Sequence, residues 1–256
     1  MGKWIIIQEF YQTKDGSNTL YSKEYNQYFH DIKTGAILES LTKHVIPAFE
    51  FHSKFHKDTK HLKILDICFG LGYNTLSTIY YILENNLNIS IEIYSPEFDL
   101  ELIKSLESFE YPKEFDNILH IIKTLSKDLK YEDENIKIKL FIGDARKYLK
   151  EYSKELKDID IVYQDAFSVD VNKELWTVEY FKDIYKLCSK NTIITSYSVS
   201  TNIRLSMYEA GFEIYEIKPV KKKQTIAFKS KQNIEAKYID MLLKKQRNTE
   251  AKAIYD

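Results

Sequence analysis

The sequence predicts an α/β protein with a mostly parallel central sheet, an antiparallel C-terminal hairpin and a small N-terminal appendage. From about residue 62 onward, short apolar runs alternate with longer segments of helix length, which is typical of a parallel sheet. The strand-like segments 212–217 and 224–230 are separated by only six residues, too few for a crossover helix, and should pair antiparallel. Upstream, two strand-like runs flank a turn at Asp15–Asn18.

Each element follows from the local pattern, in chain order. The appendage should contain strands at 3–10 and 20–29 and a helix at about 34–52. The remaining elements are expected as strands at 62–67, 89–95, 136–142, 159–164 and 191–197, and as helices at 73–85, 98–108, 113–128, 177–188 and 200–209.

Composition favours one intracellular catalytic domain. The 256 residues are 44% hydrophobic and 29% charged, enough for one α/β core with a small addition. No apolar run approaches the roughly 20 residues that span a bilayer, and the N-terminus lacks a signal-peptide layout, so we expect a cytoplasmic protein without membrane contact. Cys68 and Cys188 lie in apolar patterns without a Cys/His cluster, so we expect buried thiols and no metal.

The segment Ile64–Thr75 runs from a buried-strand pattern through Gly70 and Gly72 into a helix. Glycines let the backbone approach a ligand at the carboxyl end of a strand. The third glycine of the dinucleotide fingerprint and the Gly-Lys-Ser/Thr ending of a phosphate-binding loop are both missing, so neither cradle is predicted. The alternative is that the two glycines only close a strand-to-helix turn.

Acidic residues follow three further predicted strands. Glu97 stands about 25 residues after Gly72, where an acid can hold a ribose diol, although it could instead favour the positive end of a helix. Asp144 could accept from an adenine amino group, with the Ala145 backbone at a ring nitrogen, or could cap a helix. Asp165 is the next such acid. Because these strand ends meet at one crevice, a ligand with adenine, ribose and no phosphate fits, and S-adenosylmethionine is the common one.

Several segments resemble the methyltransferase half of the bacterial tRNA 5-methylaminomethyl-2-thiouridine biosynthesis enzyme family. The most specific element is Asp165–Phe167 followed by Leu175–Thr177, because generic methyltransferases share only the glycine loop. The segments that carry the resemblance are Asp15–Ser17, Tyr21–Ser22, Phe69–Asn74, Gly143–Ala145, Tyr163–Ser168, Asn172–Thr177, Thr195–Ser198 and Tyr208–Phe212.

The resemblance implies a Rossmann-like S-adenosylmethionine-dependent methyltransferase fold. The element pattern and the charge distribution divide the chain into an N-terminal appendage (1–60), a methyltransferase domain (61–232) and a basic C-terminal helix or tail (233–256). The cofactor-binding residues are then expected to be Asp66, Phe69, Gly70, Gly72, Asn74, Glu97, Asp144, Ala145 and Asp165.

The activity implied by the resemblance is methylation of the primary amine of 5-aminomethyl-(2-thio)uridine at the tRNA wobble position. The partner would be the anticodon stem-loop of tRNA. Larger members of the family also carry an FAD-dependent oxidase, and we expect a stand-alone methyltransferase with no FAD in this chain. Asp165 is the expected catalytic residue, which orients the amine and receives or relays its proton.

Aromatic and basic residues give the expected substrate contacts. Phe167 and Trp176 could wall in an extruded uracil, with Tyr197 and Ser198 at the same mouth, although core packing is the alternative for both rings. Residues 218–256 contain eleven Lys and Arg against four Asp and Glu, which leaves a net charge of −8 on the rest of the chain. Lys221, Lys222 and Lys223 are therefore expected at RNA phosphates, although a solvated lysine-rich face is equally common.

Two rival interpretations remain open from the sequence. One is an aminopropyltransferase or a small-molecule amine methyltransferase, which would use a similar sheet and an acid that aligns an amine. The other is a catalytically silent tRNA-binding module that keeps the fold. Titration with the cofactor would separate a silent module from an enzyme.

Overall fold

The structure is a computed structural model that describes residues 10–219 and 222–256. The strand predicted at 3–10 therefore lies, apart from Phe10, outside the described residues, and so does Lys221. The strands are β1 (Phe10–Gln12), β2 (Asn18–Ser22), β3 (Gln27–Tyr28), β4 (His61–Ile67), β5 (Ser90–Glu97), β6 (Lys130–Glu132), β7 (Ile136–Ile142), β8 (Ile159–Gln164), β9 (Cys188–Ser196), β10 (Glu213–Ile217), β11 (Gln224–Phe228) and β12 (Lys237–Tyr238).

The helices lie between the strands of the sheet, except for three that belong to the N- and C-terminal segments. They are α1 (Ala36–Ser40), α2 (Ile46–Phe55), α3 (Tyr73–Glu84), α4 (Leu100–Ser105), α5 (Leu119–Asp128), α6 (Ala145–Glu151), α7 (Val178–Leu187), α8 (Thr201–Glu209) and α9 (Met241–Arg247). A π-helical turn, Leu41–Val45, joins α1 to α2, and short 3₁₀ turns occupy Leu106–Ser108, Lys113–Ile118 and Lys173–Leu175.

The central sheet has nine strands in the order β12-β10-β11-β9-β8-β4-β5-β7-β6. Strands β9, β8, β4, β5 and β7 run parallel, whereas β11, β10 and β12 at one side and β6 at the other are antiparallel. A separate antiparallel sheet contains β1, β2 and β3. The predicted fold class is confirmed. Strands β6 and β12 and helix α6 were missed because each is short and has little periodicity.

Helices cover both faces of the parallel strands. In β4, Leu62 and Ile64 pack in the cluster that contains α3 and α5, whereas Leu65 and Ile67 pack with α7 and α8. Because both faces of these strands are buried, they read in the sequence as continuous apolar runs. The polar ends of the strands are then the natural places for ligand-binding side chains.

The Asp15-Gly16-Ser17 motif caps the long helical segment of the appendage. The Ala36 amide donates to Ser17 Oγ at 2.9 Å, and the Leu38 amide donates to Asp15 Oδ2 at 2.9 Å. Gly35 precedes the helix with a φ of 104°, and a Cβ there would lie 2.0 Å from Asp15 Cγ. The motif therefore fixes where the helix begins, and with it the side chains that the helix carries toward the sheet.

The C-terminal segment packs onto the sheet. Strand β12 pairs with β10, the Val178 amide donates to Ile254 O at 2.8 Å, and Arg146 forms two hydrogen bonds with Asp256 at 2.6 and 2.7 Å. The predicted boundary at residue 232 thus falls inside a continuous sheet, and the three-part division stays a prediction. Within the described ranges, no helix has the length and apolar character needed to cross a membrane.

Candidate active site

A cavity of about 1310 Å³ opens at the carboxyl edge of the parallel strands. Strand β4 has β5 as its neighbour on one side and β8 on the other, so the strand order changes direction at β4. Such a point is the usual binding crevice of parallel sheets. Pockets for one drug-sized ligand occupy about 300–1,000 Å³, so this cavity has room for two reactants. The predicted site residues that line it are Phe69, Gly70, Asn74, Glu97, Asp144, Ala145, Asp165, Phe167 and Tyr197.

The two glycines of the loop after β4 have different roles. Gly70 lines the cavity with a φ of 54°, and its amide donates to Glu97 Oε2 at 2.8 Å. Gly72 precedes α3 with a φ of 75°, and a Cβ there would lie 2.9 Å from both Ile122 Cδ1 and Phe69 Cζ. Gly72 is therefore needed for close packing behind the loop, and its contact with a cofactor stays a prediction.

Glu97 ends β5 with its carboxylate held by the backbone. Oε1 accepts from the amides of Phe98 and Asp99 at 2.8 and 3.0 Å, while Oε2 accepts from Gly70. Burial raises the pKa of Glu97, and these backbone hydrogen bonds oppose that rise. The neighbouring Phe98 ring is 73% exposed at the cavity, which offers a flat apolar surface that the sequence analysis missed.

Asp144 caps α6, as the alternative interpretation of this residue proposed. Its Oδ1 accepts from the amides of Arg146 and Lys147 at 2.7 and 3.1 Å. Because both bonds use Oδ1, the second oxygen remains available as an acceptor at the cavity wall. Capping and ligand binding are therefore compatible in this residue.

A buried polar cluster lies at the end of β8. The Asn74 side chain donates to Asp165 Oδ2 at 3.0 Å and to Asp66 Oδ1 at 3.3 Å, and Thr75 donates to Asp66 Oδ2 at 3.1 Å. Asp66 is fully buried and does not line the cavity, and it supports Asn74 from beneath. Its contact with the cofactor stays a prediction. Burial and the nearby charge of Asp165 raise the pKa of Asp66 to about 8.

His44 completes this cluster from the N-terminal appendage. Its Nε2 lies 3.3 Å from Asp165 Oδ1, and its Nδ1 lies 2.8 Å from Thr195 Oγ1. Burial raises the pKa of Asp165, and the nearby His44 and His30 lower it, so that the pKa lies below its usual value. The sequence analysis did not identify His44.

Other appendage residues form the wall opposite Asp165. Glu39 accepts from the Asp31 amide and pairs with Lys43 and with His30, whose Nδ1 is 3.5 Å away. Burial raises the pKa of Glu39, yet these partners hold it well below its usual range. The Lys43 ammonium lies 5.3 Å from the Tyr197 ring centre. Glu39 and Lys43 stand four residues apart in an otherwise apolar helix, and this spacing was the sequence pattern that could have indicated their pairing.

An aromatic group closes the same end of the cavity. The Phe167 ring lies 5.0 Å from the Tyr25 ring and 5.2 Å from the Phe29 ring. Nearby, Gln27 Nε2 donates to Ser168 Oγ at 2.7 Å. The turn between β2 and β3 thus covers the loop that follows β8.

The other predicted substrate residues lie elsewhere. Trp176 is fully buried, with its indole N–H donating to Phe167 O at 2.8 Å, which agrees with the alternative of core packing. Its contact with a base stays a prediction. Ser198 is 9% exposed and does not line the cavity. Lys222 pairs at 2.5 Å with Asp31, which lines the cavity, and Lys223 pairs with Glu216 at 2.9 Å. Neither lysine lines the cavity.

The cavity residues fit the predicted cofactor. The oriented Glu97 carboxylate suits a ribose diol, Asp144 and Ala145 suit the edge of a purine, and Gly70 allows close approach of the backbone. The buried Asn74 Oδ1 has no hydrogen-bond partner among the described residues, as expected of a group that awaits a ligand donor. No group of three His, Cys, Asp or Glu able to hold a metal occurs in the described parts of the chain.

Comparison with known proteins agrees with this geometry. A family model described as S-adenosyl-L-methionine-dependent methyltransferase matches residues 110–232. The crystal structure of MnmC2 from Aquifex aeolicus superposes with a TM-score of 0.82 at 32% identity, over 97% of this chain and 79% of that chain.

Two sequence relatives are longer than this chain. The uncharacterized protein MJ0670 of Methanocaldococcus jannaschii is 30% identical over 223 residues, which cover 86% of this chain and 59% of that protein. The tRNA 5-methylaminomethyl-2-thiouridine biosynthesis bifunctional protein MnmC of Campylobacter hominis is 31% identical over 162 residues, 61% of this chain and 23% of that protein. The chain therefore belongs to the MnmC methyltransferase-domain family of S-adenosyl-L-methionine-dependent methyltransferases.

Proposed function

We propose that the protein methylates the primary amine of 5-aminomethyl-(2-thio)uridine at the wobble position of tRNA. The observation that carries the proposal is the position of Asp165, which has 21% of its side chain exposed and lines the cavity beside the Phe167 ring. A carboxylate beside an aromatic wall suits an amine attached to a flat base. The names of the MnmC relatives point to the same modification.

The substrate imposes a requirement on the protein. An alkylammonium resembling lysine has a pKa near 10.4, so the amine arrives protonated and has no lone pair for attack. When bound, S-adenosylmethionine supplies an electrophilic methyl group. Asp165 orients the amine by accepting a hydrogen bond from one of its N–H groups, and it relays the surplus proton to water. Asn74 donates to one oxygen of this carboxylate, and His44 lies beside the other.

Each of the three parts of the chain has its own role in this proposal. Residues 61–232 form the methyltransferase domain, and the appendage at 1–60 supplies Glu39, Lys43 and the rings of Tyr25 and Phe29 at the substrate end. The segment 233–256 supports the antiparallel side of the sheet through β12.

Mass spectrometry of wobble nucleosides tests the proposal. Transfer RNA that carries 5-aminomethyl-2-thiouridine is incubated with the protein and methyl-labelled S-adenosylmethionine, and we expect label in 5-methylaminomethyl-2-thiouridine. Transfer RNA with an unmodified wobble uridine is the matched control and should remain unlabelled. Label on small polyamines but not on the modified tRNA would favour the small-molecule amine methyltransferase, and cofactor binding without transfer would favour a silent module.

A further inference from the structure

His44 reaches the site because of an irregularity in the appendage helix. The π-helical turn Leu41–Val45 inserts one residue into the helix, and π-turns of this kind are frequent at functional sites. His44 is fully buried and does not line the cavity, so any effect it has on the reaction passes through another residue.

That residue is Asp165. His44 Nε2 lies 3.3 Å from Asp165 Oδ1, within the range of a charge contact, and it has no hydrogen-bond partner among the described residues. Asp165 Oδ2 accepts from the Asn74 side chain at 3.0 Å. One oxygen of the carboxylate is therefore held by a hydrogen bond, and the other faces the imidazole.

Thr195 lies at the other imidazole nitrogen. Thr195 Oγ1 lies 2.8 Å from His44 Nδ1 and 3.4 Å from Val162 O. Its hydroxyl can donate to Nδ1 of a neutral ring, or accept from Nδ1–H of a cationic ring while it donates to Val162 O. In both of these forms Nε2 carries a proton, and it faces Asp165 Oδ1.

The other titratable groups around this pair come from several elements. Glu39 pairs with Lys43 and His30, so the negative charge of Glu39 and the positive charges of its partners have largely opposing effects on Asp165. The remaining groups that face the pair are Tyr163 of β8, Tyr197 after β9, Cys68 after β4, and Asp66 of β4 through Asn74.

We propose that His44 is a positioning residue for methyl transfer, which aims the Asp165 carboxylate at the substrate amine. One N–H bond of the substrate ammonium breaks, its electron pair stays on nitrogen, and the proton passes by way of Asp165 to water. Because His44 favours the carboxylate, Asp165 gives the proton up and accepts a hydrogen bond from the neutral amine. This inference rests on the proposed function.

The pH dependence of turnover distinguishes this role from a structural one. Without the His44 donor, Asp165 holds the ammonium more strongly, so the substrate needs a higher pH to become neutral. We expect His44→Gln to lower kcat about tenfold at about pH 7 and to recover most of it at about pH 9.5, with cofactor affinity unchanged. His44→Ala, which also loses the aim of the carboxylate, should recover less.

His52→Gln is the matched control, because it removes another buried imidazole from the same helical segment, where His52 Nε2 lies 3.3 Å from Asp160 O. Its pH profile should follow that of the wild-type protein. An equal loss at every pH in His44→Gln would overturn the proposal.

A second measurement needs no substrate. Nitrogen-15 NMR of the histidine side chains in the ligand-free protein should show a proton on His44 Nε2, and Asp165→Asn should move that resonance. A His44 Nε2 without a proton would also overturn the proposal. If the wild-type protein fails to modify tRNA, the proposed function falls, whereas this measurement still tests the contact between His44 and Asp165.

Discussion

At the residue scale, the site combines two carboxylates with opposite shifts in pKa. Asn74 donates to both. Burial raises the pKa of Asp66, whereas at Asp165 burial is opposed by His44 and His30, and the pKa is lowered. The two groups are therefore expected to differ in protonation near neutral pH, so that the carboxyl at the cavity is ionised and the one beneath it is largely neutral. This difference limits repulsion between them.

Asp66 should make stability depend on pH. Its folded pKa of about 8 exceeds the value near 3.9 of an unfolded chain, so the folded state binds the proton more tightly. The free energy of unfolding should then fall as pH rises from about 4 to about 8. Asp66→Asn removes this titration, so its stability relative to the wild-type protein should improve from pH 5 to pH 8 in urea denaturation. A constant difference across this range would contradict the assignment.

Asp165 should be required for turnover rather than for folding. Asp165→Asn keeps the size of the side chain and an acceptor for Asn74, but removes the charge that orients the amine. We expect kcat to fall about 100-fold or more, with little change in affinity for S-adenosylmethionine in calorimetry. Near-normal turnover of this variant on modified tRNA would show that another group handles the amine.

At the scale of elements, sheet topology separates the two basic segments. The turn between β10 and β11 lies at the carboxyl edge with the cavity, because β10 runs in the same direction as β9. Helix α8 leads from that edge back to the start of β10, so its last residue, Glu209, lies near the opposite edge. Lys245 pairs with Glu209 at 2.9 Å, which places α9 away from the cavity.

This separation gives a matched test of whether tRNA binds along the basic residues beside the cavity. Replacing Lys222 and Lys223 with Gln removes two charges beside the cavity, and replacing Lys244 and Lys245 removes two far from it. We expect only the first change to weaken tRNA binding and to reduce the slope of log affinity against log salt, by about 1.4 for two single-strand phosphate contacts. Fluorescence anisotropy over a salt series measures both slopes. Equal slopes in the two variants would exclude phosphate contacts specific to Lys222 and Lys223.

The alternation of strands and helices made the element order predictable, but some short elements escaped. Buried parallel strands such as β4 and β8 give apolar runs that end in polar residues, so Glu97, Asp144 and Asp165 could be located from the sequence. A π-turn has no sequence pattern of its own, and strands of two or three residues such as β6 and β12 show no alternation. Both interpretations of Trp176 stayed open in the sequence because an aromatic residue near a strand end looks the same whether it lines a pocket or fills the core.

At the scale of the whole molecule, the site joins segments that are far apart in the chain. Asp165 meets His44 across 121 positions, and Gln27 meets Ser168 across 141. Local periodicity carries no information on such contacts, which explains why the appendage was predicted as an addition and not as part of the catalytic cavity. The glycine loop and the strand-end acids, in contrast, each directly follow a buried strand, so the local sequence pattern was enough to predict them.

The aromatic cover formed by Tyr25, Phe29 and Phe167 has a consequence for the evolution of the family. The groups suited to hold the methyl donor follow strands of the sheet, whereas residues 10–55 contribute many of the other residues that line the cavity, where the proposed function places the amine. Exchange of that stretch between relatives would therefore be expected to change which amine is methylated while the donor stays the same. Selection can act on the two choices separately.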